Sequence, residues 1–137
     1  MYQKIMAPID LKEDGYSIAI AQTALNLAMQ GDAEVHLLTV VNTGAEALEQ
    51  LEERLMAFAE QHIGVNPKVF LHALTGGVSD EVLKFARDQH CDLIVMANHK
   101  QSSNMLGNPS FGTITAKVAV HAPCSVLIVK SVPGSAV

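Results

Sequence analysis

Short apolar segments alternate with amphipathic segments along almost the whole of this 137-residue chain, and this alternation constrains the fold most. Between the apolar runs, apolar residues recur every three or four positions, as they do on one face of an α-helix. The order β-α-β-α-β-α-β-α-β predicts a parallel sheet with right-handed helical crossovers. We therefore expect a single doubly wound α/β domain, with strand order 3-2-1-4-5 and helices on both faces. The predicted strands cover residues 4–9, 34–41, 68–74, 92–97 and 125–130.

The composition agrees with a buried parallel sheet. Hydrophobic residues make up 49% of the chain, but only two are tyrosines, four are phenylalanines and none is tryptophan. The core must therefore be built from aliphatic side chains, which suit strands that helices cover on both faces. We expect one domain over residues 1–131 and a loose C-terminal tail over residues 132–137. The strand at residues 68–74 contains His72 and is expected at an edge of the sheet.

Charge and segment lengths exclude several classes of protein. The net charge is −5 and the nine lysines and arginines are scattered, whereas nucleic-acid binding requires a basic face. No apolar run approaches the roughly 20 residues of a membrane span, and the N-terminus lacks the apolar region of a secretory signal. Cys91 and Cys124 are interpreted as reduced, buried thiols. These features together predict a cytoplasmic protein that binds neither nucleic acid nor membrane.

Several residues predict where the helices begin and end. Thr43 with Glu46 has the form of a capping box, and Ser79 is a candidate N-cap. Gly31 and Gly64 are expected at the C-terminal ends of the first two helices.

Two polar loops follow strands that should be neighbours in the sheet. Asp10 closes the first strand, and a long loop that begins at Asn98 follows the fourth. That loop reaches Gly112-Thr113, where a helical pattern starts. In a doubly wound sheet, ligands bind beyond the carboxyl ends of the strands where the strand order reverses. A helix N-terminus at that place favours an anion such as phosphate.

The residues at these positions resemble the universal stress protein family over essentially the whole chain. The resemblance rests on Ala7-Pro8-Ile9-Asp10, on the segment from Cys91 to His99, and on the segment from Gly112 to Val129. It implies an adenine nucleotide alpha hydrolase-like α/β domain, usually a homodimer, in a family with ATP-binding and non-binding branches.

In the binding branch, the loop after the fourth strand reads Gly, two residues, Gly, nine residues, Gly, then Ser or Thr. Such glycines let main-chain N–H groups approach phosphate oxygens. Here Ala97 and Lys100 occupy the first two glycine positions, and eleven residues separate Lys100 from Gly112-Thr113. A methyl group at Ala97 is tolerable where φ is negative. Lys100 supplies a cation that can contact phosphate as a point charge.

The resemblance implies a nucleotide site for ATP, with or without magnesium. Asp10 would lie beside the adenine or ribose, but its carboxylate is also suited to an Asx-type turn. Val40 would line the adenine pocket or belong to the ordinary core, and His99 would contact an anion or face solvent. The implied site comprises Pro8, Ile9, Asp10, Val40, Met96, Ala97, Asn98, His99, Lys100, Gly112, Thr113, Ile114 and Thr115.

Two functional hypotheses remain open from the sequence. The first is a stress-response regulatory protein that binds ATP or a related adenine nucleotide. No residue is an evident general base, so we expect no enzyme activity beyond slow ATP hydrolysis. The second is a dimeric interaction module with a degenerate nucleotide site and protein partners that the sequence does not identify. In both, the last strand is expected to form a homodimer contact through Val126, Ile128 and Val129.

Overall fold

The computed structural model describes residues 2–12, 14–42, 48–98 and 113–130. The predicted capping box of Thr43 and Glu46, the loop residues His99, Lys100 and Gly112, and the tail at 132–137 lie outside these residues. Each predicted strand boundary agrees within one residue. The elements in chain order are β1 (Lys4–Pro8), α1 (Asp14–Gly31), β2 (Glu34–Val41), α2 (Leu48–His62), β3 (Val69–Thr75), α3 (Val78–Asp88), β4 (Leu93–Ala97), α4 (Thr113–His121) and β5 (Ser125–Val129).

The strands form one parallel sheet in the order β3-β2-β1-β4-β5. The predicted fold class is therefore confirmed, including the edge position of β3. In the register of the sheet, Ile5 of β1 lies between Val35 of β2 and Leu93 of β4. The strand order reverses between β1 and β4, which are the carriers of the two polar loops.

Each face of the sheet has its own apolar core. Successive side chains of a strand point to opposite faces, so Ile5 and Met6 enter different clusters although both are fully buried. The Ile5 cluster includes residues of α1 and α2, such as Ala24 and Leu55. The Met6 cluster includes Val82 of α3, together with a residue of α4. Two helices therefore cover each face, as the alternating pattern predicts.

The helix ends agree only in part with the sequence signals. Helix α1 ends at Gly31, but the residue with a left-handed backbone is the next one, Asp32, at φ 56°. Gly64 has φ 78° and its N–H donates to the Ala59 carbonyl at 2.9 Å, so the predicted end of α2 is confirmed. Ser79 as an N-cap is wrong. Helix α3 begins at Val78, and its N-cap is Gly77, which makes no side-chain capping bond.

Asp92 joins the amino ends of the two strands that carry the polar loops. Its carboxylate accepts hydrogen bonds from the N–H groups of Gln3 at 2.8 Å and Lys4 at 3.0 Å. Its own N–H donates to the Lys4 carbonyl at 2.9 Å. Three bonds at one end of β1 and β4 set their register, and so they also set how their carboxyl ends lie side by side.

Both cysteines are free thiols. Cys91 is buried as expected, but Cys124 is only half-buried, because it lies just before the edge strand β5. Across the described ranges, no helix is both long and apolar enough to cross a membrane.

Candidate functional site

The carboxyl ends of β1 and β4 lie next to each other at the reversal of the strand order. Ile9 and Asp10 continue from β1, and Asn98 continues from β4. Helix α1 begins at Asp14, four residues after Asp10, and α4 begins at Thr113. Asp10 and Asn98, which begin the two polar segments predicted from the sequence, are therefore brought to the same end of the sheet.

Asp10 is held by a helix residue and forms a turn of its own. Its N–H donates to Ser17 Oγ at 3.0 Å, and the Ser17 hydroxyl donates to the Asp10 carbonyl at 2.6 Å. The carboxylate Oδ1 accepts the Lys12 N–H at 2.9 Å, which is the Asx-type turn considered above. Because Asp10 is exposed, this turn leaves the carboxylate open to solvent. Its role toward a ligand stays a prediction.

Sequence reasoning missed Ser17. The side chain is 1% exposed and makes both bonds to the Asp10 backbone. Its position carried a signal, since Ser17 precedes Ala21, Ala24 and Ala28 at helical spacing on the buried face of α1. A polar residue on such a face needs a hydrogen-bond partner, and the chain end of β1 provides it.

The end of β4 carries a buried polar atom that has no hydrogen-bond partner among the described residues. Asn98 donates its backbone N–H to the Val129 carbonyl at 3.0 Å. Its side-chain Oδ1 is buried and accepts no hydrogen bond from the described residues. Thr115, in the first turn of α4, donates its hydroxyl to the Ala97 carbonyl at 3.0 Å. This bond attaches the start of α4 directly to the end of β4.

The remaining predicted residues divide into a buried set and an exposed set. The buried set, in which each residue is at most 6% exposed, consists of Ile9, Met96, Ala97 and Thr115. These residues pack beneath the candidate site and offer little surface to a ligand. Asp10 and the first two residues of α4 are exposed, and Pro8, Val40 and Asn98 are half-buried. The Thr115 hydroxyl is already engaged, which gives it a positioning role in this structure.

The sequence profile of the universal stress protein family matches residues 1–130. The chain belongs to the universal stress protein family. A universal stress protein of Methanocaldococcus jannaschii is 28% identical over an alignment of 145 positions, which spans 95% of this chain and 83% of that protein. Another, of Methanothermobacter thermautotrophicus, is 28% identical over an alignment of 149 positions, which spans 96% of this chain and 98% of that protein.

Solved structures of universal stress proteins share the fold. One from Archaeoglobus fulgidus has a TM-score of 0.71 at 19% identity, covering 93% of this chain and 98% of that chain. A universal stress protein solved in complex with cAMP has a TM-score of 0.74 at 20% identity, covering 93% and 96% of the two chains.

One departure from the family's glycine pattern lies within the described residues. Ala97 belongs to β4 and is 2% exposed. Among the non-glycine residues described, positive φ values occur at Asp32 and His90. Ala97 therefore has an ordinary strand backbone, which an alanine adopts without strain. The methyl group at this position does not distort the strand that leads into the loop of this universal stress protein.

Within the ranges that the structure describes, no three His, Cys, Asp or Glu side chains are grouped to hold a metal ion. Burial raises the pKa of the Cys91 thiol from 9.0 to about 12, and burial also raises the pKa of Cys124. A thiol with a raised pKa is a poor nucleophile and a poor metal ligand at neutral pH. Cys91 and Cys124 precede the amino ends of β4 and β5, at the opposite end of the sheet from Asp10 and Asn98.

Proposed function

We propose that this universal stress protein binds an adenine nucleotide at the carboxyl edge of β1 and β4, with ATP as the ligand. The observation that carries the proposal is the buried Oδ1 of Asn98, which has no donor among the described residues. Leaving such an acceptor unpaired costs about 1–3 kcal/mol. Hydroxyl and amino groups of a nucleoside are donors of the kind this atom lacks.

The first turn of α4 supports the proposal on the phosphate side. The N-terminus of a helix has unpaired N–H groups and a partial positive charge, both of which favour phosphate. The bond from Thr115 to the Ala97 carbonyl holds this turn against the end of β4, close to Asn98. Asp10 stands across the same edge, where its carboxylate can accept a hydrogen bond from a ribose hydroxyl.

The universal stress protein in complex with cAMP adds support, because its fold is that of this chain. At 20% identity this likeness supports the fold alone. The proposal of ATP as the ligand rests on the side chains and the helix N-terminus at the carboxyl ends of β1 and β4. We propose a regulatory role in the stress response, exercised in the cytoplasm, with slow hydrolysis at most.

Titration calorimetry with ATP, with and without magnesium, tests the proposal. Cyclic AMP and GTP serve as comparison ligands. Asp10→Ala should weaken ATP binding by about 1–3 kcal/mol if the carboxylate bonds to the ligand. Asp10→Asn keeps an oxygen for the Lys12 turn and removes the charge, so it separates ligand contact from turn formation. Asp88→Ala, at an exposed position on α3, is the matched control.

The second hypothesis, an interaction module without ligand, is favoured by one observation. The edge strand β5 presents apolar side chains, and Leu127 is 38% exposed. If millimolar ATP produces neither heat nor a rise in melting temperature while the chain is dimeric, the module is the better proposal. If ATP binds measurably but neither Asp10→Ala nor Asp88→Ala changes its affinity, the nucleotide site does not include the end of β1.

A further inference from the structure

Within the described ranges, the edge strand β3 lacks the protection that exposed sheet edges normally carry. Natural edge strands are blocked by charges, by proline or by a covering segment. The sequence of β3 is Val-Phe-Leu-His-Ala-Leu-Thr, without charge or proline, and Phe70 is 40% exposed. No described strand pairs with β3 on the side away from β2. A seven-residue edge of this kind is suited to pairing with another chain.

Hydrogen bonds at both ends of β3 show which backbone groups point outward. The Lys68 carbonyl accepts the Val35 N–H, and the Gly76 N–H donates to the Val41 carbonyl. Even-numbered residues of this segment therefore bond to β2. Because backbone groups alternate sides along a strand, the N–H and C=O groups of Leu71 and Ala73 face away from the sheet.

A hollow of about 460 Å³ flanks this edge on the α2 side. Its apolar lining includes Leu55, Met56 and Leu71, and Glu52 is also part of the lining. Met56 is 52% exposed. Glu49 and Glu60 are exposed and continue the stripe of Glu52 and Met56 at helical spacing. Apolar side chains therefore form the floor of this hollow, and the carboxylates of Glu49, Glu52 and Glu60 lie along its rim.

A second hollow, of about 150 Å³, flanks the edge on the α3 side. Leu74 and Phe85 line it together with Glu81, Asp88 and Lys84. An added strand would send alternate side chains to the two faces of the sheet. The two hollows lie on either side of β3, where those side chains would enter.

We propose that β3 binds an extended, cationic segment of a partner protein, which adds to the sheet as a sixth strand. The rims carry the carboxylates of Glu49, Glu52, Glu60, Glu81 and Asp88 against the cations of Lys84 and of Arg87, whose Nε lies 3.7 Å from Asp88 Oδ1. A second copy paired at the same edge would bring these carboxylates together, which disfavours self-association. Strand addition supplies affinity through main-chain bonds and specificity through alternate side chains.

The probe is an acetylated heptapeptide amide of alternating valine and lysine, titrated into the ¹⁵N-labelled full chain and followed by NMR. The matching peptide of valine and glutamate is the charge control. We expect amide shifts centred on Leu71 and Ala73, and lysine-peptide affinity at least about tenfold above that of the glutamate peptide. Charge reversal by Glu52→Lys, at an exposed helix position, should weaken the lysine peptide by about threefold or more.

Ala73→Pro tests the backbone contact directly. Proline removes an outward N–H without removing a bond to β2, and edge strands tolerate it there. We expect Ala73→Pro to weaken the lysine peptide by about tenfold, while Ala73→Val, which keeps the N–H, stays within about twofold. Equal binding of both peptides, or shifts centred elsewhere, would overturn the proposal. So would slow hydrogen exchange at Leu71 and Ala73 in the free chain, or a dimer that Ala73→Pro converts to monomer.

Discussion

The Nδ1 atom of His36 lies 2.9 Å from the Nε2 atom of His72, so an imidazole pair joins β2 to the edge strand β3. The other ring nitrogen of His36 lies 3.0 Å from Glu34 Oε1. A carboxylate can only accept, so His36 donates from Nε2, and the Nδ1 of a neutral His36 accepts from His72. The rings of Phe70 and Phe85 lie against His36 with centroids at 4.9 and 5.8 Å. Burial among these rings disfavours the protonated form of His72.

The first prediction concerns stability against pH. Burial, and after it the charge of His36, lowers the pKa of His72 below its ordinary value of 6.5. The unfolded chain then binds the proton more readily, so this contribution to stability is complete above about pH 6.5 and is lost as pH falls below it. Glu34 faces His36, with Lys4 and Lys68 nearby. We expect the unfolding free energy, measured in urea, to fall between pH 7.5 and 5.5.

His72→Gln should reduce that fall, because it removes the titrating group. Since His72 is half-buried and partly screened, the slope should stay below about 1.4 kcal/mol per pH unit, the limit for one proton. His90→Asn, at an exposed residue with φ 54° that asparagine also adopts, is the control. Identical pH slopes in His72→Gln and the unmutated chain would contradict the prediction.

The second prediction concerns the attachment of α4. Thr115 is 2% exposed and donates to the Ala97 carbonyl, so Thr115→Val keeps the volume and removes the bond. We expect a loss of about 1–2 kcal/mol in unfolding free energy, measured by urea denaturation. If nucleotide binds at this edge, its affinity should also fall, because the helix N-terminus is no longer held. Thr113→Val, at the exposed start of the same helix, should change stability far less.

The third prediction concerns the predicted homodimer through β5. Asn98 bonds to the Val129 carbonyl, so the N–H of Ile128, one residue away, points out from the sheet. Ile128→Pro should therefore leave the pairing with β4 intact and remove a donor at the edge. We expect light scattering to show a dimer for the unmutated chain and for Ile128→Val, and a monomer for Ile128→Pro. A monomeric unmutated chain at micromolar concentration would exclude this contact.

The fourth prediction concerns the reactivity of Cys91. With a pKa of about 12, only about one molecule in ten thousand carries the thiolate at pH 8. In a Cys124→Ser background, iodoacetamide should modify Cys91 slowly in the folded chain and rapidly in urea, as measured by mass spectrometry. Rapid modification without urea would show that Cys91 is open to solvent.

Local patterns in the sequence were sufficient for the secondary structure and the sheet. Apolar runs and helical spacing are short-range signals, and they placed every strand within one residue. Right-handed crossovers then left few topologies, among which the order β3-β2-β1-β4-β5 was predicted and observed. The same signals misplaced the N-cap of α3, because the chain leaves β3 through Gly76 at φ 139° and Gly77 becomes the cap instead of Ser79. The position of the candidate site also followed from the predicted topology, since the carboxyl ends of neighbouring parallel strands lie at the same end of the sheet.

Only the tertiary structure decided how polar side chains are paired. Asp92 binds the N–H of Lys4 from 88 residues away, and His36 meets His72 across 36 residues of chain. Neither contact leaves a periodic trace, because a hydrogen bond depends on distance and direction in space and not on spacing in sequence. The side-chain oxygen of Asn98, which has no partner among the described residues, is of the same kind. Hydrophobic burial depends on the apolar area of each side chain, so its periodic pattern is visible in the sequence. The partners of polar side chains are defined only when the strands lie side by side.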